Sequence, residues 1–409
     1  MLLYSKPIPV EAGEPPWQAD DALVSTLVRS GYAVAGSANT IFWPLERAFC
    51  DQPALVDTAL DVLGTPEHTI GFGLSIGGIM TAGLVQRFPE LLSGALPMCG
   101  NLAGAVAVHN RELDMAFVVK TLLAPESTLE IVRITNPHAN FQAAMTVLRE
   151  AQGTPAGRAR LALAAAIGNI PGWHDPASAE PAPRDFETRQ RNQFAWFEEP
   201  GFLVFFLTRA QVEMQAGGNG SWNTGVDYAA LLASSSNREE VEALYASAGL
   251  DLADDLVRLA AEPRVDADPG AVDYLERHIV FDGDLGGVPV LAAHTDGDGL
   301  VTPDNQHAYA DVVASAGQQD LLRQLFVHRG GHCTFTVAEI LTALDALVHR
   351  IEHRAWPALD PGGLNDAARA LGPDANVLAM GGKPTEAQFF AYEPRPFPRP
   401  YDIRHIGTR

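Results

Sequence analysis

Over the first hundred residues the apolar positions switch between short unbroken runs and stretches at helical spacing. Leu2-Leu3-Tyr4, Tyr32-Ala33-Val34-Ala35 and Thr69-Ile70-Gly71-Phe72 have the length and character of buried strands. Between the first two, Trp17 to Arg29 carries a helical pattern, with Asp20 and Asp21 near its start and Gly31 past its end. From Gly78 through Met80, Leu84 and Val85 to Phe88 the helical spacing returns, and Pro89 stops it. Gly94 to Cys99 reads as the next strand. This alternation predicts an α/β fold built on a mostly parallel sheet.

The following strand-like run, Val288 to Ala293, comes only after about 185 residues. The interval is mainly helical in pattern: Leu113 to Leu123, Phe141 to Ala151, Arg158 to Ile167, Phe202 to Gln215, Arg238 to Ala248 and Leu252 to Ala261. Proline-rich stretches separate these helices, notably Pro171 to Pro183. Leu325-Phe326-Val327 predicts one more strand, and Val337 to Glu352 a last helix. Residues 1–100 and 285–355 therefore read as one core, with 101–284 inserted into it. Residues 356–409 form a tail, in which Ala387 to Tyr401 mixes aromatics with Pro394, Pro396, Pro398 and Pro400. That stretch should be extended. Its aromatics are costly to leave in water, so the tail should pack on the core or on a second copy of the chain, a homodimer being the simplest case.

A chain of 409 residues buries a large core, as one elaborated domain or two. A net charge of −22 repels a phosphate backbone, which argues against nucleic acid as a partner. No apolar run reaches the eighteen or so residues needed to span a bilayer. No charged start followed by an apolar segment marks a leader, so a cytoplasmic location is expected. Three cysteines, Cys50, Cys99 and Cys333, make neither a disulfide framework nor a C-x-x-C pair. His349 and His353 share a helical spacing, but no glutamate follows His349 as in H-E-x-x-H, and His328 and His332 flank a glycine loop. No metal or organic cofactor is expected.

Gly73-Leu74-Ser75-Ile76-Gly77 stands between a predicted strand and a predicted helix. A turn that tight needs residues without bulk two before and two after the serine, hence Gly73 and Gly77. It lifts the hydroxyl above the sheet and leaves the Ile76 N–H facing any oxyanion that forms there. A serine hydroxyl becomes a nucleophile only when a histidine takes its proton, and that histidine needs a carboxylate to hold its tautomer. His328-Arg329-Gly330-Gly331-His332 follows a strand, and its glycines let His332 swing back over Ser75. His328, at the strand end, suits a buried hydrogen-bonding role. For the acid, Asp298 and Asp296 both follow the Val288 to Ala293 strand, and Asp296 is also suited to capping its own turn.

Together these segments resemble the α/β-hydrolase superfamily, in which a G-x-S-x-G elbow is followed along the chain by an acid and then a histidine. The family's acid loop commonly reads H-G-x-x-D-x-x-V-P. Laid on His294 to Pro303, that pattern gives the acid position to Asp298 and the apolar anchor to Val301. The resemblance implies an esterase with a Ser75–Asp298–His332 triad, a small-molecule ester substrate and an acyl-enzyme intermediate. It also implies that Leu2 to Ser5 is the family's third strand, so that two edge strands are missing. Lys6-Pro7 stands where members usually carry His-Gly, and a proline has no N–H to donate. Ile8 is then the candidate second oxyanion donor beside Ile76. The insertion falls where the family places a helical lid, and Phe194, Trp196, Phe197, Phe205, Phe206 and Trp222 are its candidates to line an apolar acyl pocket. The alternative for these aromatics is lid core. Gly217 to Tyr228 resembles a stretch of large-lid bacterial members, as pocket wall or as an ordered turn.

Esterases resembling tannase and feruloyl esterase join a cysteine beside the serine to one beside the histidine. Cys333 supplies the second half here, but Leu74 occupies the first position. Cys99 is then the candidate partner, with free buried thiols as the alternative. Acyl transfer, prolyl-type peptidase activity and ligand binding without turnover remain alternatives on the same core.

Overall fold

Seven strands lie in one sheet in the order β2-β1-β3-β4-β5-β6-β7. They are β1 (Leu2–Ser5), β2 (Val34–Ala35), β3 (Ile70–Leu74), β4 (Gly94–Met98), β5 (Val290–Gly297), β6 (Leu322–Gly330) and β7 (Phe389–Phe390). All pairs are parallel except β6 with β7. The computed structural model describes residues 1–5, 17, 21–38, 43–198 and 202–401, the stretch 202–207 by its backbone alone. Among the described residues no strand lies beyond β2.

β3 and β4 are buried at every position. A parallel strand covered on both faces reads as a continuous apolar run, which is why these two are plain in the sequence. The helices α1 (Ala22–Arg29), α2 (Leu45–Leu63) and α3 (Ile76–Arg87) connect the first strands. From β1 the chain steps outward to β2, then returns past β1 to β3. The carboxyl ends of β1 and β3 therefore form a topological switch point, where open α/β sheets bind their ligands. Ser75 directly follows β3.

Between β4 and β5 run nine helices of the described residues: α4 (Ala105–Leu123), α5 (Pro137–Gln152), α6 (Pro155–Ile167), α7 (Phe186–Trp196), α8 (Phe202–Ala216), α9 (Tyr228–Ser234), α10 (Arg238–Ala248), α11 (Leu252–Ala261) and α12 (Pro269–Arg277). They bury a core of their own, which includes Val118, Leu148, Leu163 and Tyr245. α4 begins eight residues before the predicted Leu113. It is buried on nearly all sides from Ala105 to Leu122, so its first turns show no amphipathic stripe for a pattern reading to find. None of the described helices is long and apolar enough to cross a membrane.

After β5 come α13 (Asp304–Ser315), β6 and α14 (Val337–His353), the last opened by a capping box between Thr336 and Glu339. The tail is not extended throughout. It forms α15 (Pro361–Ala370), started by the Asp360 side chain bonded to the Gly363 N–H, and then β7, which adds to the open edge of β6. Further on, Phe397 is buried against Ala103, Ala107 and Val108, and Arg399 pairs with Asp114 of α4 at 2.7 Å. The tail thus ties the sheet edge to the inserted helices.

Candidate active site

Ser75 has φ 58° and ψ −122°, a left-handed backbone that a non-glycine residue adopts only under local constraint. Its N–H is tied to the Met98 carbonyl at 3.0 Å. The glycines around it are required by close approach: a Cβ on Gly77 would strike the Ser5 carbonyl, and one on Gly73 would strike that of Gly77. Ile76 is the first residue of α3, so its N–H belongs to the orphan donors of a helix N-terminus.

The Ser75 hydroxyl lies 2.7 Å from His332 Nε2, and His332 Nδ1 lies 2.7 Å from Asp298 Oδ2. Asp298 is fully buried. Its other oxygen, Oδ1, accepts the N–H groups of Leu300 and Val301, both at 3.0 Å. The carboxylate is therefore held by its own loop on one side and meets the imidazole on the other. With a buried acceptor at Nδ1, the His332 proton sits there, and Nε2 is free to take the hydroxyl proton.

The structure separates the two acids. Asp296 still lies in β5 and reaches across to β6, where it meets His328 Nδ1 at 2.7 Å and the Arg329 N–H at 3.0 Å. Burial raises its carboxyl above the usual range, against the pull of His328. Asp298 and His332 lie beyond the ends of those strands, on the loops.

Three features hold these loops together, and only the disulfide among them was a candidate from the sequence. The buried Thr295 hydroxyl donates to the Gly331 carbonyl at 3.1 Å, and the Gly331 N–H returns to the Gly297 carbonyl at 3.3 Å. Cys99 and Cys333 form a disulfide with Cα atoms 5.7 Å apart, fastening the residue after β4 to the residue after His332. Cys50 is free and exposed. From the inserted helices, Arg111 of α4 donates to Thr302 Oγ1 and to the Leu300 carbonyl. Trp196 packs so closely on Gly299 that no side chain fits there, and Trp173 does the same at Gly330.

The candidate pocket aromatics scatter. Trp196, the last residue of α7, is buried against the acid loop, its indole N–H bonded to the Trp173 carbonyl at 2.9 Å. Phe194 and Phe197 join the core of the inserted helices. Trp222 packs edge-on to Tyr401 of the tail, and its N–H bonds the Asn110 side chain at 2.9 Å. The side chains of Phe205 and Phe206, and Ile8 with the second oxyanion position, lie outside the described residues.

A serine in a left-handed turn between β3 and α3, with an acid after β5 and a histidine after β6 converging on it, identifies the fold. The fold is that of an α/β-hydrolase. No known protein-family pattern matches the chain. It is 28% identical over 397 residues to an o-phthalyl amidase of Xanthobacter agilis, across 88% of this chain and 86% of that one. Among solved structures it overlaps an esterase of Aspergillus oryzae at a TM-score of 0.41 and 14% identity, covering 87% of this chain and 75% of that one. Lipase A of Candida antarctica overlaps at 0.39 and 11%, covering 90% and 73%. Overlap at that level adds nothing to the fold that the strands and the turn at Ser75 establish.

Proposed function

We propose that the chain is a serine hydrolase that cleaves a carboxylic ester with an apolar acyl group through an acyl-enzyme on Ser75. The observation that carries this reading is the unbroken hydrogen-bonded line from Ser75 Oγ through His332 to Asp298. Ser75 Oγ attacks the acyl carbon as its proton passes to His332 Nε2. Asp298 holds Nδ1–H and stabilises the imidazolium. The oxyanion faces the Ile76 N–H. Collapse breaks the bond to the leaving oxygen, which takes the proton from His332 and departs as the alcohol. Water then attacks the acyl-serine with His332 as base, releasing the acid and restoring the Ser75 hydroxyl. No step in this sequence calls on a cofactor.

A second reading is favoured by the near full-length similarity to an amidase: the scissile bond is an amide, and the leaving group an amine. The same residues serve it, since His332 protonates the departing nitrogen. The inserted helices act in either case as a lid, because Trp196 and Trp173 rest on the two loops that carry Asp298 and His332.

One experiment tests both. Turnover of a p-nitrophenyl ester and a p-nitroanilide of the same acid, beside a phthalylated amine, is compared for wild type and Ser75→Ala. We expect Ser75→Ala to lose about 10³-fold or more in kcat on whichever bond is cleaved. Near wild-type turnover by that variant overturns the assignment, and the ester-to-anilide ratio chooses between the readings.

A further inference from the structure

Behind Asp298 lies a buried histidine that the proposed chemistry does not use. His294 is fully buried in β5, as is Gln306 of α13. His294 Nε2 is 2.8 Å from the Val301 carbonyl, and its Nδ1 is 3.1 Å from Gln306 Nε2. Gln324 Nε2 in turn reaches both the main-chain carbonyl of Gln306, at 2.7 Å, and Gln306 Oε1, at 2.9 Å.

Two main-chain carbonyls at the ends of this chain fix the direction of every proton in it. A carbonyl only accepts, so the Gln324 atom facing Gln306 must be its NH₂ group. The Gln306 atom it meets must then be Oε1, which turns the Gln306 NH₂ toward His294 Nδ1. Nδ1 is therefore the acceptor, and the ring proton sits on Nε2, donated to Val301. Val301 is the same residue whose N–H holds Asp298 Oδ1.

We propose that His294, locked in the Nε2–H tautomer by Gln306 and Gln324, is the positioning residue that sets the Asp298 loop for His332. This rests on the proposed role of Asp298 and His332. His294 holds the Val301 carbonyl while the Val301 N–H holds Asp298 Oδ1, so one residue links the buried ring to the carboxylate. A second proton on His294 would demand that Gln306 turn over and break with Gln324. It would also place a cation beside Asp298 Oδ2, which lies 3.7 Å from His294 Nε2. Burial lowers the His294 pKa below its ordinary value, against the pull of Asp298. No second cation then competes with His332 for the Asp298 carboxylate.

The charged and titratable groups around this unit are few. Asp298 and His332 face His294 within the loops. Arg111 of α4 faces Asp304 and the Leu300 carbonyl from one side, and the Asp296–His328 pair lies further along the same face of β5 and β6, beside Tyr392. Ser75 and the non-titrating disulfide complete the surroundings of His332.

The test uses the full chain and three variants, with Tm and the pH profile of kcat/KM measured on the substrate that wild type turns over. Gln places its nitrogen near the position of Nε2, and Asn near that of Nδ1. His294→Gln should therefore retain most of the wild-type kcat, whereas His294→Asn should lose about 10²-fold in kcat with KM little changed. Gln306→Glu keeps its acceptor for Gln324 but draws a proton onto His294 Nδ1. The imidazolium so formed opposes that of His332, so the acid limb of kcat/KM should move to lower pH by about one unit. Equal kcat in His294→Gln and His294→Asn, or an unmoved acid limb in a folded Gln306→Glu, overturns the proposal. If His294→Asn fails to fold, the Gln306→Glu profile alone decides. A wild-type level of turnover in Ser75→Ala would mark failure of the underlying function instead.

Discussion

Thr295 and Gly331 join the acid loop to the histidine loop through one hydrogen bond of 3.1 Å, from the buried Thr295 hydroxyl to the Gly331 carbonyl. Gly331 immediately precedes His332, so this bond sets where the imidazole starts. Replacing Thr295 by valine keeps the shape and removes the donor, leaving the carbonyl a longer 3.4 Å contact with Thr334. Thr295→Val should cost about 1–3 kcal/mol of stability and lower kcat with it. Denaturant unfolding and steady-state kinetics check this; an unchanged midpoint and kcat would show that the bond does nothing.

The two aspartates give a sharper contrast. Asp298→Asn should lower kcat by about 10⁴-fold, because an amide at that point no longer holds His332 with its proton on Nδ1. Asp296→Asn should leave kcat near wild type, since Asp296 serves His328 and the Arg329 N–H. Kinetics of both variants on one substrate decide it, and the reverse ranking would transfer the role to Asp296.

The disulfide should matter for both stability and turnover. It closes a loop between residues 234 apart in sequence and ends beside His332. The double variant Cys99→Ala/Cys333→Ala should be about 2–5 kcal/mol less stable and slower. Wild type in reductant should approach the same Tm, while the variant should not respond. A Tm indifferent to both treatments would contradict a structural bridge.

In the inserted helices, burial raises the Glu240 carboxyl to about 7, against the pull of Arg189 at 3.0 Å. A carboxyl with a raised folded pKa favours the fold while protonated. Its contribution is full below its ordinary pKa of 4.5 and is lost as pH rises toward about 7. The Tm difference between wild type and Glu240→Gln should therefore shift against wild type across that window. A difference independent of pH would place the carboxyl near its ordinary value.

Much of the core was legible because its signals are short-ranged. The runs at Leu2, Ile70 and Gly94 are strands buried on both faces, and burial on both faces leaves an unbroken apolar stretch. Helix α4 was read short for the same reason in reverse: enclosed all round, Ala105 to Asn110 lack the polar stripe that marks a helix. In the tail, β7 lies within the Ala387 to Tyr401 stretch that prolines and aromatics mark as extended, whereas α15 precedes it in residues expected to form extended tail. The first residue of the H-G-x-x-D pattern, His294, was the available signal for the network behind Asp298.

The turn at Ser75 was legible in the sequence alone, since Gly73 must clear the Gly77 carbonyl within five residues, whereas the approach of the Ser5 carbonyl to Gly77 comes from the neighbouring strand. Which aspartate faces His332 was not. Asp296 and Asp298 are two residues apart, and only the pairing of β5 with β6 shows that Asp296 ends within the sheet against His328 while Asp298 emerges on a loop toward His332. The pairing of Cys99 with Cys333, the seating of Trp196 on Gly299 and the return of the tail to β6 likewise join segments far apart in the chain. Backbone sterics and periodicity are written within a few residues. Contacts between distant segments depend on how whole elements pack, and no local pattern records that.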